Sequence, residues 1–338
     1  MAILSPIGAR DPVSDLNERL ERGTAHLVSR PGAGYLQSIL DALNIPVESQ
    51  VMPFSQTSFQ AKLIGQDNPR ALYFTDDVVV GWVRGSPLME AAAVDPKRGV
   101  AFYTLNQTSE KPRFQSGNSC LSCHQSGLFV LSNDGSVTDH RTPLAQRWGG
   151  WYVTGISSGF RHEGNRVGQG WLRSLYDQFY TAGYPTEYSD IVALMVLEHQ
   201  TQATNSITRV AREPDRDSVN ELVDYLLFVD EARLPGRVIG TSGFTQKFAT
   251  FGPYDRKGRS LRQFDLTRRM MRYPCSYMIY SKAFAALPST VKAAVYARMW
   301  RVLAGFSPRD RQAVTEILFD TMPGLPPYFH PAVSETLP

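Results

Sequence analysis

The feature that most constrains this chain is a five-residue run, Cys120-Leu121-Ser122-Cys123-His124. Three cysteines in 338 residues are too few for a disulfide scaffold. Two of them nevertheless stand three apart, with a histidine directly behind. Two thiols at that spacing reach both vinyl groups of one haem, and the adjacent imidazole falls beneath the iron as its proximal ligand. Zinc would need two further soft or imidazole ligands at ordered spacing, and Cys275 is the one thiol left over. A dithiol oxidoreductase would place its cysteines where a strand opens into a helix, whereas Gln115-Ser116-Gly117-Asn118-Ser119 reads as loop. The pattern therefore predicts one covalent haem c (heme c) on Cys120 and Cys123, with His124 on the iron.

A small electron-carrying cytochrome encloses its haem in roughly 100 residues, an ordinary small domain. This chain has 338, so the surplus builds a binding or catalytic site or docks a partner. At 42% hydrophobic and 20% charged residues, the chain can bury a sizeable core and is neither disordered nor a coiled coil. Its formal net charge of +3 is too weak to make nucleic acid the main partner. No apolar run approaches the roughly 18 residues of a membrane helix. The first twelve residues have neither the basic nor the apolar region of a signal peptide. Because haem attachment follows export, a periplasmic or other extracytoplasmic location is expected, with the export signal absent from this chain.

The fold class expected is α+β: an N-terminal antiparallel β meander, a loop-rich haem segment and a helical C-terminal half. Short helices are expected over Asp15–Glu21 and Tyr35–Leu43. The apolar runs at 71–74, 78–83, 88–94 and 100–105, separated by Asp, Gly and Pro, predict a meander of three or four strands. Residues 1–108 form this first part. Residues 109–184 are rich in Gly, Ser, Asn and aromatics and form the haem-binding segment. Residues 185–338 form the helical part, with helices over Tyr188–Val210 (capped by Ser189 or Asp190), Asp217–Asp230, Ser242–Thr250, Ser276–Ala286, Ser289–Ala304 and Arg309–Thr321. All three are expected to close on one haem as a single unit.

Several further motifs stand out: Asp139-His140-Arg141-Thr142-Pro143, Arg147-Trp148-Gly149-Gly150-Trp151-Tyr152-Val153-Thr154-Gly155, His162-Glu163-Gly164-Asn165, Met195-Val196-Leu197-Glu198-His199-Gln200 and Arg272-Tyr273-Pro274-Cys275-Ser276-Tyr277. On these motifs the chain, from about Phe54 to Tyr328, resembles a family of exported bacterial monohaem proteins described only as cytochrome c domain-containing. The resemblance implies one covalent haem and an extracytoplasmic site, but no particular reaction. It departs at Ile156-Ser157, where relatives often carry a histidine after the glycine equivalent to Gly155.

For the sixth iron position, His199 is the first expectation, because Ile191, Met195 and His199 share one helical face. His140, His162 or a methionine (Met195, Met270, Met271 or Met278) is the alternative, as is an open site. His26 and His330 sit near the termini and are discounted. Trp148 and Trp151 are candidates to line the haem. The segment Arg256–Arg272 carries seven basic residues against one acid, Asp265, so Arg272 and its neighbours are candidates to pair with haem propionates or to steer an acidic redox partner. Cys275 reads as a buried structural thiol.

No P-loop, dinucleotide Gly fingerprint, hydrolase triad signature or HExxH helix is present, so the haem is the only chemistry in view. The expected function is electron transfer to a redox partner protein. A haem peroxidase or oxidase with an open distal site, or a haem sensor, is the alternative.

Overall fold

The computed structural model describes residues 11–330 apart from 57, 59, 96–98, 117–136, 158–159 and 168–169. Cys120, Cys123 and His124 lie outside the described residues.

The chain begins with two short helices, α1 (Pro12–Glu21) and α2 (Leu36–Ala42). Asp11 starts the first by accepting from the amides of Val13 and Ser14, both at 3.0 Å, while Pro12 supplies the preset φ of a first helical position. After β1 (Met52–Pro53) comes the meander: β2 (Ala71–Phe74), β3 (Val78–Trp82), β4 (Leu88–Asp95), β5 (Gly99–Asn106) and β6 (Phe114–Ser116). Neighbours in sequence are neighbours in the sheet, all antiparallel. The alternation of side chains divides the strands between two cores. Ala71 and Tyr73 pack with α1 and α2, whereas Leu72 and Phe74 pack with the helical half.

Residues 137–190 carry two short strands, β7 (Trp151–Tyr152) and β8 (Ile156–Ser157). Strand β7 pairs with β1, which ties this segment to the N-terminal part, and β8 pairs with β9 (Val238–Ile239) in the helical part. The helical part consists of α3 (Ile191–Arg212), α4 (Arg216–Leu226), α5 (Phe244–Ala249), α6 (Lys282–Ala285), α7 (Ser289–Leu303) and α8 (Pro308–Thr321). The α+β class, with an N-terminal antiparallel sheet and most helices in the C-terminal half, is as the sequence predicts; the meander has five strands rather than three or four, because Phe114–Ser116, whose last two residues read as loop, pair with β5 as β6.

Helix α3 is the centre of the larger core, and its first eleven residues, Ile191 to Thr201, are all buried. Asp190 holds its start with both carboxylate oxygens. Oδ1 accepts from the amides of Val192 (2.8 Å) and Ala193 (3.2 Å), and Oδ2 from those of Thr241 (2.6 Å) and Ser242 (2.8 Å). Two helices depart from expectation. Helix α4 stops at Leu226 rather than Asp230, because Phe228 (φ 54°) and Asp230 (φ 61°) turn left-handed there. The run Ser276–Ala286 divides into a 3₁₀ turn (Tyr277–Tyr280) and α6, each capped by its own serine, Ser276 and Ser281.

Candidate functional site

Four motifs separated by up to 137 residues of sequence meet at the buried side of α3. Glu198 and His199 are adjacent on that helix. Because the helix is covered all round, both side chains point into protein. The Glu198 carboxylate accepts from the Thr138 hydroxyl (2.6 Å) and from Arg147 Nη1 (3.3 Å). Both members of this ion pair are almost fully enclosed, with Arg147 3% and Glu198 1% exposed. Arg147 also donates Nε to the Thr142 carbonyl at 2.7 Å. The pair thus clamps the segment 138–147 onto α3.

Beside this clamp lies a chain of three polar groups. His140 Nδ1 is 3.0 Å from His199 Nδ1, and His199 Nε2 is 2.6 Å from the Ser276 hydroxyl. Aromatic rings wall the pair. Tyr225 and Phe228 stack nearly parallel to His199, with centroids at 5.2 and 4.7 Å. The same two rings stand 4.3 and 4.8 Å from His140. Burial pushes both imidazoles well below the ordinary histidine value. For His140, the neighbouring His199, Arg141 and Arg147 add to the effect. Both rings are therefore neutral at pH 7.

The chain ends on an unpaired nitrogen. His140 is 2% exposed, and its Nε2 is buried with no hydrogen-bond partner among the described residues. Leaving such a group unsatisfied costs about 1–3 kcal/mol. A neutral imidazole with one nitrogen held by protein and the other bare is the form in which histidine ligates a metal. As placed, His140 Nε2 is enclosed by protein, so it could meet a metal only if the rings around it moved aside. Among the described residues no cluster of three or more His, Cys, Asp or Glu is placed to hold a metal ion unaided.

His199 itself does not meet the expectation set for it. It is fully buried, on the helical face foreseen, but both of its ring nitrogens are engaged by protein. Neither is left to face an iron. Met195, Met270, Met271 and Met278 are packed in the hydrophobic core. His26 and His330 are exposed.

Trp148 and Trp151 are both buried. Trp148 adopts φ 73°, a left-handed conformation that is strained for a bulky side chain, at a cost on the order of 1–3 kcal/mol. Its indole Nε1 has no partner among the described residues. His162 packs edge-on to Trp148 (5.6 Å) and Trp171 (4.7 Å), its Nδ1 is likewise unpartnered, and burial lowers its pKa to about 4. Asn165 (φ 71°) braces this loop as a strand would: its side chain pairs with both the amide (2.7 Å) and the carbonyl (3.2 Å) of Val153. Gly164 leaves no room for a side chain, since a Cβ there would stand 2.6 Å from Val153 and 3.0 Å from His162.

The basic segment 256–272 is for the most part not a free positive face. Arg256 pairs with Asp320, Lys257 and Arg259 with Glu316, Arg262 with Asp76, Arg268 with Asp265 and Arg269 with Asp310. Arg272 has no carboxylate partner among the described residues, and its guanidinium lies 5.6 Å from the Tyr273 ring. It lines a polar cavity of about 980 Å³ together with Arg233, Arg309 and Phe228. Phe228 also packs against His140, so the cavity and the histidine chain share a wall. Cys275 is fully buried and its thiol is pushed up to about 12 by burial, which fits a structural role.

Sequence reasoning missed Ser276, Tyr225, Phe228, Thr138, Arg147 and Glu198 as parts of this cluster. Arg147, Glu198 and Ser276 stood inside motifs already singled out; Tyr225 and Phe228 carried no signal beyond helical apolarity. No helix among the described residues is long and apolar enough to cross a membrane. No family model matches the chain, and neither does any curated protein or solved structure.

Proposed function

We propose that this chain is a monohaem c-type protein that carries electrons to a redox partner outside the cytoplasm. The observation that carries the proposal is the Cys120-Leu121-Ser122-Cys123-His124 run, which supplies two thioether anchors and one axial imidazole within five residues. The buried, unpartnered nitrogen of His140 supports it, since an iron would satisfy that atom.

Bound haem supplies a one-electron couple between ferric and ferrous iron. The protein's own groups do the rest. The rings of Tyr225 and Phe228 pack on His140 and keep water from it, so a metal held beside it would change charge at low cost in solvent reorganisation. The Arg147–Glu198 clamp holds the segment that carries His140. Arg233, Arg272 and Arg309, exposed at the rim of the neighbouring cavity, have no carboxylate partner among the described residues and suit an acidic surface on a partner.

The test is made on protein matured with its export signal. Haem should stay with the denatured polypeptide on a peroxidase-stained gel. Denatured protein should also yield one titratable thiol, Cys275, rather than three. Haem released by acidified organic solvent, together with three free thiols, refutes the proposal. A six-coordinate low-spin spectrum indifferent to CO supports electron transfer, whereas a high-spin haem that binds CO transfers the case to catalysis or sensing.

A further inference from the structure

We infer that the cavity between the end of α4, the segment 265–274 and the start of α8 binds a small polyanion, a compact molecule with an apolar body and two or more phosphate or carboxylate groups. Such binding needs no haem, so it stands or falls separately from electron transfer.

Charge accounting comes first. The cavity, about 980 Å³ in volume, is lined by seven basic and five acidic side chains. Most of these cancel in pairs. Lys257 and Arg259 hold Glu316, Arg268 holds Asp265, and Arg269 holds Asp310. Three guanidiniums, Arg233, Arg272 and Arg309, are exposed and have no carboxylate partner among the described residues. Asp230 and Glu231 are the lining acids left to face them. Burial raises the Glu231 carboxyl to about 7, with Asp265 adding to the rise and the Met270 amide, Arg269 and Arg147 opposing it. Near pH 7 that carboxyl is therefore half neutral, and a further negative charge beside it favours the neutral form more. An arriving anion meets three free cations and one fixed carboxylate, Asp230.

Shape selects a small molecule. The volume lies at the upper end of the roughly 300–1,000 Å³ of small-molecule sites, enough to enclose a compact ligand, whereas a flat protein surface would meet only the rim. Leu227, Phe228, Tyr273 and Pro274 line the cavity and are all buried, so they form its floor, while the exposed arginines form its rim. An apolar body suits that floor. Arginine grips phosphate or carboxylate through a planar fork of two N–H groups. The Arg272 guanidinium lies 5.6 Å from the Tyr273 ring, which steadies it at the mouth. These guanidiniums are also the ones an acidic redox partner would meet, so anion and partner exclude each other.

The experiment is calorimetric titration of the full-length protein at pH 7 and about 0.15 M salt. The probes, each used alone, are ADP, which offers phosphates, and benzene-1,3,5-tricarboxylate, which offers carboxylates. At least one should bind at a single site with Kd of about 1 mM or tighter, and the tighter of the two names the acidic group preferred. Arg272→Ala and Arg309→Ala should each weaken that binding about tenfold, the loss of one charge-assisted contact. Alanine keeps the Arg272 carbonyl that accepts from Arg269 at 2.7 Å, and unfolding midpoints check that both variants fold. Arg30→Ala removes an equal charge at a different cavity and should leave the affinity unchanged. Equal weakening by Arg30→Ala overturns the inference, because the effect is then one of bulk charge. Absence of saturable binding by both probes overturns it too. So does binding of hexaglutamate where neither probe binds, which assigns the arginines to an acidic protein surface instead. Covalent haem on the denaturing gel is read independently, so failure here leaves electron transfer standing.

Discussion

Removing one side of the Arg147–Glu198 pair tests whether this site is as dry as the geometry indicates. Glu198→Leu leaves Arg147 enclosed at 3% exposure, with the Thr142 carbonyl as its remaining partner. It also removes the Glu198 oxygen to which the Thr138 hydroxyl donates. An orphaned buried charge costs about 3–5 kcal/mol, whereas a solvent-exposed pair of the same type is worth about 1 kcal/mol at most. For a chain of 338 residues, each kcal/mol moves the melting point by about 1.4 °C, so Tm should fall by about 4–7 °C. Arg147→Met combined with Glu198→Leu removes both charges and should recover most of that loss, short of the roughly 1 kcal/mol tied to the Thr138 hydroxyl. Thermal and denaturant unfolding of the wild type, both single variants and the double variant completes a double-mutant cycle. A single-variant loss under about 1 kcal/mol, or a double variant whose loss equals the sum of the singles, would show that water reaches the pair. The clamp on residues 138–147 would then be only a surface contact.

Three further outcomes follow from particular contacts. Gly155→Ala places a Cβ 2.6 Å from Ile191 Cγ2 and 3.2 Å from the Ile239 carbonyl, so it should destabilise the β8–β9 junction by about 1–3 kcal/mol; an unchanged denaturation midpoint contradicts this. Burial raises the Glu231 carboxyl from an ordinary 4.5 to about 7. Between those values the folded chain holds a proton that the unfolded chain has released, so wild-type stability falls as pH rises through the window. Glu231→Gln should gain on wild type over that range by at most about 1.4 kcal/mol per pH unit, and a pH-independent difference between the two would be the wrong result. Cys275, with its thiol near 12, should resist maleimide in native buffer and react promptly in denaturant; rapid native labelling would mean that its pocket opens.

Where the determinants were local, the sequence alone specified this protein well. Strands β2 to β5 fall on the runs read as strands, because each is a short apolar stretch set off by turn residues, with β-branched or aromatic residues prominent in β2, β3 and β5. Helix α3 takes Asp190, one of the two caps offered, and so starts at Ile191 rather than Tyr188, while α8 (Pro308–Thr321) falls within a residue of the expected span. Two expectations turned instead on groups distant in the chain. The run Arg256–Arg272 looks strongly basic because its counter-charges, Asp76, Asp310, Glu316 and Asp320, lie 41 to 186 residues away. Helical period identified His199 as buried but said nothing of what its two nitrogens meet. Those partners, His140 and Ser276, come from 59 residues before and 77 after. Periodicity reports which face of a helix is covered; which atoms cover it depends on chain segments brought together only by tertiary packing. So helical period says that His199 is covered, while the fold alone decides that both of its nitrogens are engaged and that, among the described residues, Nε2 of His140 is not.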